Sequence, residues 1–366
     1  MNGSEASAIA LNYEAGEVPA ANPPVMRLSV RPAAECRDVW ERLLARSPEA
    51  ALYHSFEWQQ VLRLAYGLNF QVAVLEEGRL PVAGCLLARS RNPFSRRLIA
   101  LPFSDYCPPL SLRSDGAAAI LLRALASRGA ADASFEIRGA TAEPPWQTAN
   151  CFAHWTLDLR RPFSVIEKSM DRNFKRQVRR AAESGVTVLR GSSLSHAKRF
   201  YALHLETRQR LGLPAPPWRF LHQVQQIFGR DDRFEVYLAT VGGQDLAGAV
   251  LLKDGDRLHC KWSARRADAP IGATHLLFWS FCERYAGEFA TLDLGRTDVR
   301  NEGLSRYKRE IGAVASPLPY AFYPKMPTQV SSEHTTGFPR VLSSLWRRLP
   351  MPVTRAVGAA IYGYLS

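Results

Sequence analysis

Two predicted strands end in residues that can transfer a proton or bind an anion. Asp105 and Tyr106 come just after the strand at 97–101, and a carboxylate or phenol there can accept a proton. Arg296 follows the apolar strand at 291–294, so its guanidinium emerges at a strand end, where α/β proteins usually form their sites. The competing interpretations are a turn-capping Asp beside a half-buried Tyr, and an ordinary ion pair for Arg296.

A predicted helix between Ser164 and Gly185 carries a run of cations. Ser164 and Glu167 form a capping box, and Gly185 suits the position after a helix end. One face is an apolar stripe of Ile166, Met170, Phe174 and Val178. The opposite face carries Lys168, Arg172, Lys175, Arg176, Arg179 and Arg180, with only Asp171 interleaved. A solvated face is the ordinary interpretation of a charge run, but the excess of one sign favours binding to polyphosphate, tRNA or a lipid headgroup.

A second predicted helix, 195–211, contains Thr207, Arg208 and Arg210. An arginine guanidinium can bind phosphate bidentately, so these three residues are candidates for binding the phosphates of the acceptor. The alternative is that they lie on the solvent-exposed face of the helix. Trp262, on a predicted strand at 257–263, is a further candidate for substrate binding.

The elements that must position these residues occur twice. Residues 70–87 align without a gap with residues 234–251, and each copy predicts a strand, a turn with glycine and a second apolar strand. The matched pairs include Gly78/Gly242 and Gly84/Gly248. A repeat this long indicates a duplicated domain, with chance similarity of two amphipathic hairpins as the alternative.

Length and composition limit the number of domains, the class of protein and its partners. The chain has 366 residues, enough for two domains of roughly 150 residues, and 46% hydrophobic content is typical of a globular protein. Its net charge of +13 favours an anionic partner. The six cysteines form no CxxC pair, which favours buried reduced thiols and predicts no metal site. No apolar run is long enough to span a membrane, and no signal peptide is apparent, so we expect a cytoplasmic protein.

We expect a disordered segment at 1–25, a first domain at 26–160, a second at 161–326, and a linker with C-terminal helices at 327–366. In the first domain we predict a short helix at 56–65 and another after Ser114 and Asp115, with residues 155–159 as its closing strand. In the second, a third helix at 218–228 follows the helix at 195–211, and a helix from Gly272 separates two strands.

The C-terminal segment 338–366 has four arginines and no acidic residue. It contains two apolar stripes separated by Pro350 and Pro352; they are Val341, Leu342, Leu345, Trp346 and Leu349, then Val353, Val357, Ile361 and Tyr364. This pattern is typical of helices that lie in an anionic membrane interface. The alternative is a helical hairpin that docks on the first domain.

Four motifs in a shared order resemble the FemAB/FemX group of the GNAT (N-acetyltransferase) superfamily. They are residues 172–176 and 178–181 with Gly185 and Val186, residues 207–214, residues 292–296, and Tyr307 and Lys308 with Gly312. The group includes peptidoglycan-bridge aminoacyltransferases and exosortase-associated relatives, and the resemblance covers roughly residues 50–325. It implies an α+β fold of tandem GNAT-like domains, each a mixed, mostly antiparallel sheet flanked by helices.

The resemblance also implies transfer of an acyl or aminoacyl group to an amine. Lys308 matches the family lysine proposed to stabilise the oxyanion of the tetrahedral intermediate; a solvated lysine is the alternative. Asp105 and Tyr106 are expected, by analogy, to face a cleft between the domains. Gly272 and Ala273 match the end of the acetyltransferase pyrophosphate loop at a helix N-terminus.

We therefore expect an acyltransferase without metal or tightly bound cofactor, with acyl-CoA or aminoacyl-tRNA as co-substrate. The acceptor would be an amine-bearing sugar or lipid-linked precursor, and an anionic membrane surface is a further expected partner; DNA is not. The chain lacks the coiled-coil arm with which some family members engage tRNA. The rival interpretation is a non-catalytic protein whose basic face binds nucleic acid or anionic lipid.

Overall fold

The computed structural model describes residues 26–91, 96–113, 116–129, 133–327, 330 and 340–364. The expectations for residues 1–25, for Ser114 and Asp115 and for most of the linker at 328–339 lie outside these described residues. The strands are β1 (Met26–Pro32), β2 (Phe70–Glu77), β3 (Leu80–Arg89), β4 (Arg97–Ile99), β5 (Leu110–Ser111), β6 (Ser134–Arg138), β7 (Gln147–Asp158), β8 (Thr187–Gly191), β9 (Phe234–Val241), β10 (Gln244–Asp254), β11 (Arg257–Arg265), β12 (Thr291–Asp298) and β13 (Val314–Tyr323). The helices are α1 (Arg37–Arg46), α2 (Phe56–Tyr66), α3 (Ala117–Gly129), α4 (Phe163–Ser169), α5 (Arg172–Glu183), α6 (Leu194–Arg210), α7 (Trp218–Phe228), α8 (Ile271–Tyr285), α9 (Glu302–Glu310), α10 (Arg340–Trp346) and α11 (Met351–Ile361).

The chain forms two compact units. Unit 1 comprises the described residues up to Gln59, Leu68–Asn150 and Pro319–Val330. Unit 2 comprises Gln60–Gly67, Cys151–Leu318 and the described residues after Ser331. These ranges differ from the expected domains, because β7 and β13 each carry the chain from one unit to the other.

Both units have the same strand order. In unit 1, β1, β2, β3 and β4 pair antiparallel in turn, β4 pairs parallel with β6, and β6 pairs antiparallel with the end of β13. In unit 2, β8, β9, β10 and β11 pair antiparallel in turn, β11 pairs parallel with β12, and β12 pairs antiparallel with β7. A helix, α3 or α8, precedes the second strand of each parallel pair. The predicted duplication and the mixed, mostly antiparallel sheets are confirmed.

The glycines matched in the repeat have the same roles in both units. Gly78 and Gly242 adopt φ of +63° and +56° in the hairpin turns, a conformation that glycine adopts without a steric penalty. Gly84 lies under α1, where a Cβ atom would be 2.5 Å from the Leu43 side chain. Gly248 lies under α6, where a Cβ atom would be 3.0 Å from the Phe200 ring. The repeat therefore preserves both the turn and the site where a helix crosses the sheet.

Two sequence-based boundaries are wrong. Residues 152–158 of β7 pair with β12 in unit 2, so the strand at 155–159 does not close the first domain. The helix predicted from Ser164 to Gly185 is two helices, since Met170 is extended and the Asp171 side chain caps α5 by accepting a hydrogen bond from the Asn173 amide. The apolar stripe itself is correct, because all four of its members are buried.

The C-terminal helices pack within unit 2 beside α6, and Tyr362 stacks on Tyr66 of α2, a residue of the expected first domain, with the ring centroids 6.3 Å apart. Trp346 and Tyr362 are buried, and the Gln209 side chain of α6 donates a hydrogen bond to the Leu349 carbonyl. A Cβ atom on Gly358 would lie 3.2 Å from the Ala215 carbonyl oxygen. No helix in the described part of the chain is long and apolar enough to cross a membrane.

Candidate functional site

The central strands of unit 2 separate. β11 and β12 are paired only at Arg257↔Thr291, Leu258↔Leu292 and His259↔Asp293, although they continue to Arg265 and Asp298. The register of β12 against β7 also shifts between Asp293 and Arg296. The backbone at Leu294 and Gly295 is therefore a bulge, with Gly295 at φ +67°.

Lys308 holds this bulge. It extends from α9, is 6% exposed, and its ammonium donates to the carbonyl oxygens of Leu294, Gly295 and Arg296 at 2.6, 3.2 and 3.4 Å. An ammonium has three N–H donors, so these bonds account for its donor capacity. Lys308 is thus not the solvated surface lysine of the alternative interpretation. To donate to an oxyanion, it would have to exchange one of the carbonyls for the substrate.

The charge of Lys308 also reaches the opposing strand. Burial raises the pKa of the Cys260 thiol on β11 to about 12, and the nearby Lys308 ammonium opposes this rise. The ammonium therefore acts on both strands at the point where they separate. All six cysteines are free thiols, and four of them are buried, as expected for reduced structural cysteines.

Asp293 forms a buried charged cluster beside the bulge. The carboxylate is 4% exposed and lies 2.9 Å from His154 Nε2 and 3.1 Å from His259 Nδ1. It also accepts a 2.7 Å hydrogen bond from the Gly295 amide. Burial by itself would raise the pKa of Asp293, but the two histidines hold it well below its usual value. Asp293 is therefore a buried anion that holds the bulge through the Gly295 amide, while Lys308 holds it through the carbonyls.

Sequence reasoning missed this cluster. The available signal was an acidic residue in the middle of an apolar strand, where an unpaired carboxylate is costly. His154 and His259 are far away in sequence, and only the pairing of β7, β12 and β11 brings them to Asp293.

Arg296 and Trp262 lie on the two strands that separate. Arg296 is 9% exposed and stacks over the Phe152 ring, with its guanidinium carbon 4.9 Å from the ring centroid. Trp262 is half-buried and meets Phe220 edge to face at 5.3 Å. Both residues remain candidates for substrate binding.

The three candidates on α6 have different surroundings. The Thr207 hydroxyl and the Arg210 guanidinium bond to the backbone of Arg265 at the end of β11. Arg208 is 3% exposed, bonds to the Pro214 carbonyl and stacks over Tyr362. The expectation that Arg208 grips an acceptor phosphate is therefore not supported, because its guanidinium is inside the protein.

The start of α8 also differs from the expectation. Gly272 and Ala273 are buried, and a Cβ atom on Gly272 would lie 2.5 Å from the Gln177 carbonyl oxygen of α5. Close packing of two helices explains this glycine without a ligand. Arg265 and Arg210, however, lie close to the start of α8. Burial and the neighbouring Arg210 lower the pKa of Arg265. An anion bound beside two neighbouring cations would favour their charged forms.

The basic run on α5 is largely exposed. Arg176 and Arg179 are exposed; Lys175 is half-buried, with its ammonium 3.3 Å from the Glu167 carbonyl. The buried face of α5 packs against α8. The arginines therefore form a positively charged surface on unit 2, and its ligand stays a prediction.

In unit 1, the segment that carries Asp105 and Tyr106 is strained and tightly held. Leu101 and Phe103 have φ of 62° and 61°, in the left-handed region that is costly for such residues. The Arg138 guanidinium donates to the carbonyls of Leu101 and Ser104, while the Trp58 indole donates to the Ser104 hydroxyl.

Asp105 is therefore presented by a fixed backbone. The Tyr53 hydroxyl donates to its carboxylate at 3.0 Å, and the Tyr320 hydroxyl donates to its carbonyl at 2.6 Å. Tyr106 is mostly buried and meets Tyr53 edge to face. Strain of this kind is commonly retained where a segment positions a functional group. The role of Asp105 in proton transfer stays a prediction.

Comparisons with known proteins agree with this architecture. Residues 168–309 match the family model described as an acetyltransferase (GNAT) domain. The chain contains a GNAT domain. The matched segment holds the separating strands, the bulge and Lys308.

Solved structures of similar fold extend over both units. A crystal structure of FemX has a TM-score of 0.58 and 13% identity, with 78% of this chain and 95% of that chain covered. A tandem GNAT protein from the clavulanic acid biosynthesis pathway has a TM-score of 0.51 and 13% identity, covering 83% and 100%. The C-terminal domain of a putative lysylphosphatidylglycerol synthetase from Agrobacterium fabrum has a TM-score of 0.51 and 13% identity, covering 78% and 93%. No curated protein sequence matches the chain. The GNAT domain and the shared fold support the FemAB/FemX-like resemblance and an acyltransferase.

Proposed function

We propose that the protein transfers an acyl group from acyl-CoA to an amine of an envelope or exopolysaccharide precursor, either an amino sugar or a lipid-linked molecule. The observation that carries the proposal is the separation of β11 and β12 beside a bulge whose carbonyls bind Lys308 and whose Gly295 amide binds Asp293. An opening of this kind within a sheet accommodates an extended acyl donor alongside strand backbone.

The reaction needs few chemical groups. The amine nitrogen attacks the thioester carbonyl carbon, the C–N bond forms, and the C–S bond breaks. The thiolate leaves as CoA and takes up the proton that the amine loses. Positioning of the two reactants supplies much of the acceleration in such a reaction, and fixed dipoles near the carbonyl oxygen supply more.

Within this proposal Lys308 sets the conformation of the bulge and, with it, the backbone dipoles that face the donor. A direct role for its ammonium at the oxyanion requires it to exchange one of its carbonyl partners. Arg296 and Trp262, on the two strands that separate, would contact the substrate. A role for Asp105 or Tyr106 of unit 1 in proton transfer stays a prediction.

The donor's pyrophosphate would bind at Arg265 and Arg210. Burial and the neighbouring Arg210 lower the pKa of Arg265, and Arg210 donates to the Arg265 carbonyl six residues before α8 begins. A pyrophosphate there would relieve their repulsion and meet the positive end of a 15-residue helix. This assignment replaces Gly272 and Ala273 as the main anchors.

A second donor, aminoacyl-tRNA, has one favourable observation. The exposed arginines of α5, including Arg176 and Arg179, form a surface suited to a polyanion. The same surface would serve a non-catalytic protein that binds nucleic acid or anionic lipid. We favour acyl-CoA because the opening beside the bulge suits an extended acyl thioester and the Arg265 and Arg210 pair suits its pyrophosphate, whereas the α5 surface would suit any polyanion.

Purified protein would be incubated with an amine panel and either acyl-CoA or charged tRNA, with products identified by mass spectrometry. The proposal predicts amide formation from acyl-CoA alone; transfer only from charged tRNA would replace it with the second donor. Mass spectrometry of envelope glycans from a deletion strain would then identify the missing acyl mark. We further propose that the protein works in the cytoplasm at the inner face of the cytoplasmic membrane.

Charge variants separate the enzyme from a binding protein. If the protein is an enzyme, Lys308→Ala is more damaging to its function in cells than charge reversal at Lys175, Arg176 and Arg179. The reverse order of severity would favour the non-catalytic alternative.

A further inference from the structure

The helices α10 and α11 are anchored by one side and exposed on another. On α11, Thr354 and Gly358 are buried, while Val353 and Val357 are each 41% exposed. On α10, Trp346 is buried, while Leu342 and Leu345 are 43% and 54% exposed. Docking therefore leaves part of the apolar stripe of each helix uncovered.

The exposed apolar residues are concentrated in this segment. Of the thirteen large apolar side chains that are exposed among the described residues, five lie between 342 and 364. Leu211 is a sixth nearby, since the neighbouring Gly212 touches Ser343 and Arg347 of the docked segment. Scattered exposed apolar residues are normal, but a concentration on anchored helices marks an interaction surface.

The charges around these residues identify the partner. Arg347, Arg348 and Arg355 are exposed, and the sequence from 338 to 366 has no acidic residue. A second copy of the same surface would be repelled by its like charge. A nucleic acid would use the arginines but would leave the leucines and valines in water. An anionic bilayer satisfies both groups, because it offers phosphate headgroups above an apolar interior.

We propose that α10 and α11 form a lipid-docking surface by which unit 2 binds anionic membranes peripherally. The helices stay packed on α6, while Leu342, Leu345, Val353 and Val357 enter the interface and the arginines contact headgroups. The helices can therefore pack on unit 2 and bind a membrane at the same time, because one side of each helix contacts unit 2 and another side contacts the lipid.

The test uses the full-length protein and sedimentation with vesicles of phosphatidylcholine alone or with 30% phosphatidylglycerol, a composition chosen for the assay. We expect binding to the anionic vesicles only. At about 1 kcal/mol for each arginine near an anionic surface, Arg347→Gln with Arg348→Gln should weaken binding roughly 30-fold. Leu342→Ser with Leu345→Ser should weaken it by about 10-fold through lost apolar burial.

Matched controls carry the same changes elsewhere. Leu80→Ser alters an exposed leucine of unit 1, and Arg42→Gln with Arg46→Gln alters exposed arginines of α1. These variants should bind like the parent protein, and all variants should retain its thermal unfolding midpoint because the altered residues are exposed. Since the readout is vesicle binding, it does not depend on the proposed acyl transfer.

Three results would overturn the proposal. They are equal sedimentation with neutral and anionic vesicles, a loss in the Arg42/Arg46 control as large as in the Arg347/Arg348 variant, and full binding by the Leu342/Leu345 variant despite loss in the Arg347/Arg348 variant. The last would indicate a purely electrostatic surface of the kind that binds nucleic acid.

Discussion

Replacing Lys308 tests how the bulge in β12 is held. Lys308→Ala removes a buried ammonium that donates to three consecutive carbonyls. Hydrogen bonds to charged groups contribute about 1.5–3 kcal/mol each, but removing the charge also removes its desolvation cost. We therefore expect a net loss of about 3 kcal/mol in the free energy of unfolding, well below the sum of three bonds.

The catalytic consequence follows from the same geometry. Without the ammonium, the carbonyls of Leu294 to Arg296 turn toward other donors and the bulge shifts. A displacement of about 1 Å costs on the order of 100-fold in rate, so kcat/KM should fall by about that factor. Urea unfolding measures the stability change, and thiol release from acyl-CoA measures the rate. Arg309→Ala, at an exposed neighbouring position on α9, is the matched control and should change neither quantity.

Two outcomes refute this reasoning in different ways. A Lys308→Ala protein with parental stability and rate would mean that the ammonium does not hold the bulge. A protein with parental stability but no activity would mean that Lys308 acts at the oxyanion itself.

Three further predictions concern neighbouring features. The pKa of Asp293 is depressed in the folded protein, so its ionised form stabilises the fold above the unfolded-state pKa of about 3.9, and this stability is lost as pH falls toward the folded-state pKa. The difference in unfolding free energy between the parent and Asp293→Asn should therefore shrink below about pH 4. A difference that stays constant with pH would argue against an ionised Asp293. Arg265→Gln should raise KM for acyl-CoA about 10-fold and leave kcat nearly unchanged. The control Arg161→Gln, at an exposed position, should change neither KM nor kcat. An unchanged KM in Arg265→Gln would mean that Arg265 does not bind the donor. Gly272→Ala should lower the free energy of unfolding in urea by about 1–3 kcal/mol, because the added Cβ atom meets the α5 backbone. The control Gly303→Ala should not lower it, because a Cβ atom there would be 3.9 Å from its nearest neighbour. A Gly272→Ala protein as stable as the parent would mean that α5 can move away.

Local patterns predicted much of the fold. The hairpins β2–β3 and β9–β10 came from alternation and glycine turns, and α7 begins and ends at the predicted residues. The helix break at Met170 was missed, because the apolar spacing continues through it and only the capping geometry of Asp171 reveals two helices.

Non-local pairing explains the remaining errors. β13 joins the sheet of unit 1 after the whole of the second GNAT domain, and β7 joins the sheet of unit 2, so no local signal assigns either strand. The same pairing brings His154 to Asp293. Lys308 was predicted from its motif, but its three carbonyl partners depend on how β11 and β12 separate.

The central claim is that an acyl group passes from a CoA thioester to an amine in unit 2. The most direct measurement quantifies free thiol and acylated amine in the same reaction, with the purified protein, acyl-CoA and an amino-sugar acceptor. The account predicts one thiol released for each amide formed, and a roughly 100-fold lower rate of both with Lys308→Ala. Thiol release without amide, or amide formed only when charged tRNA replaces acyl-CoA, would contradict it.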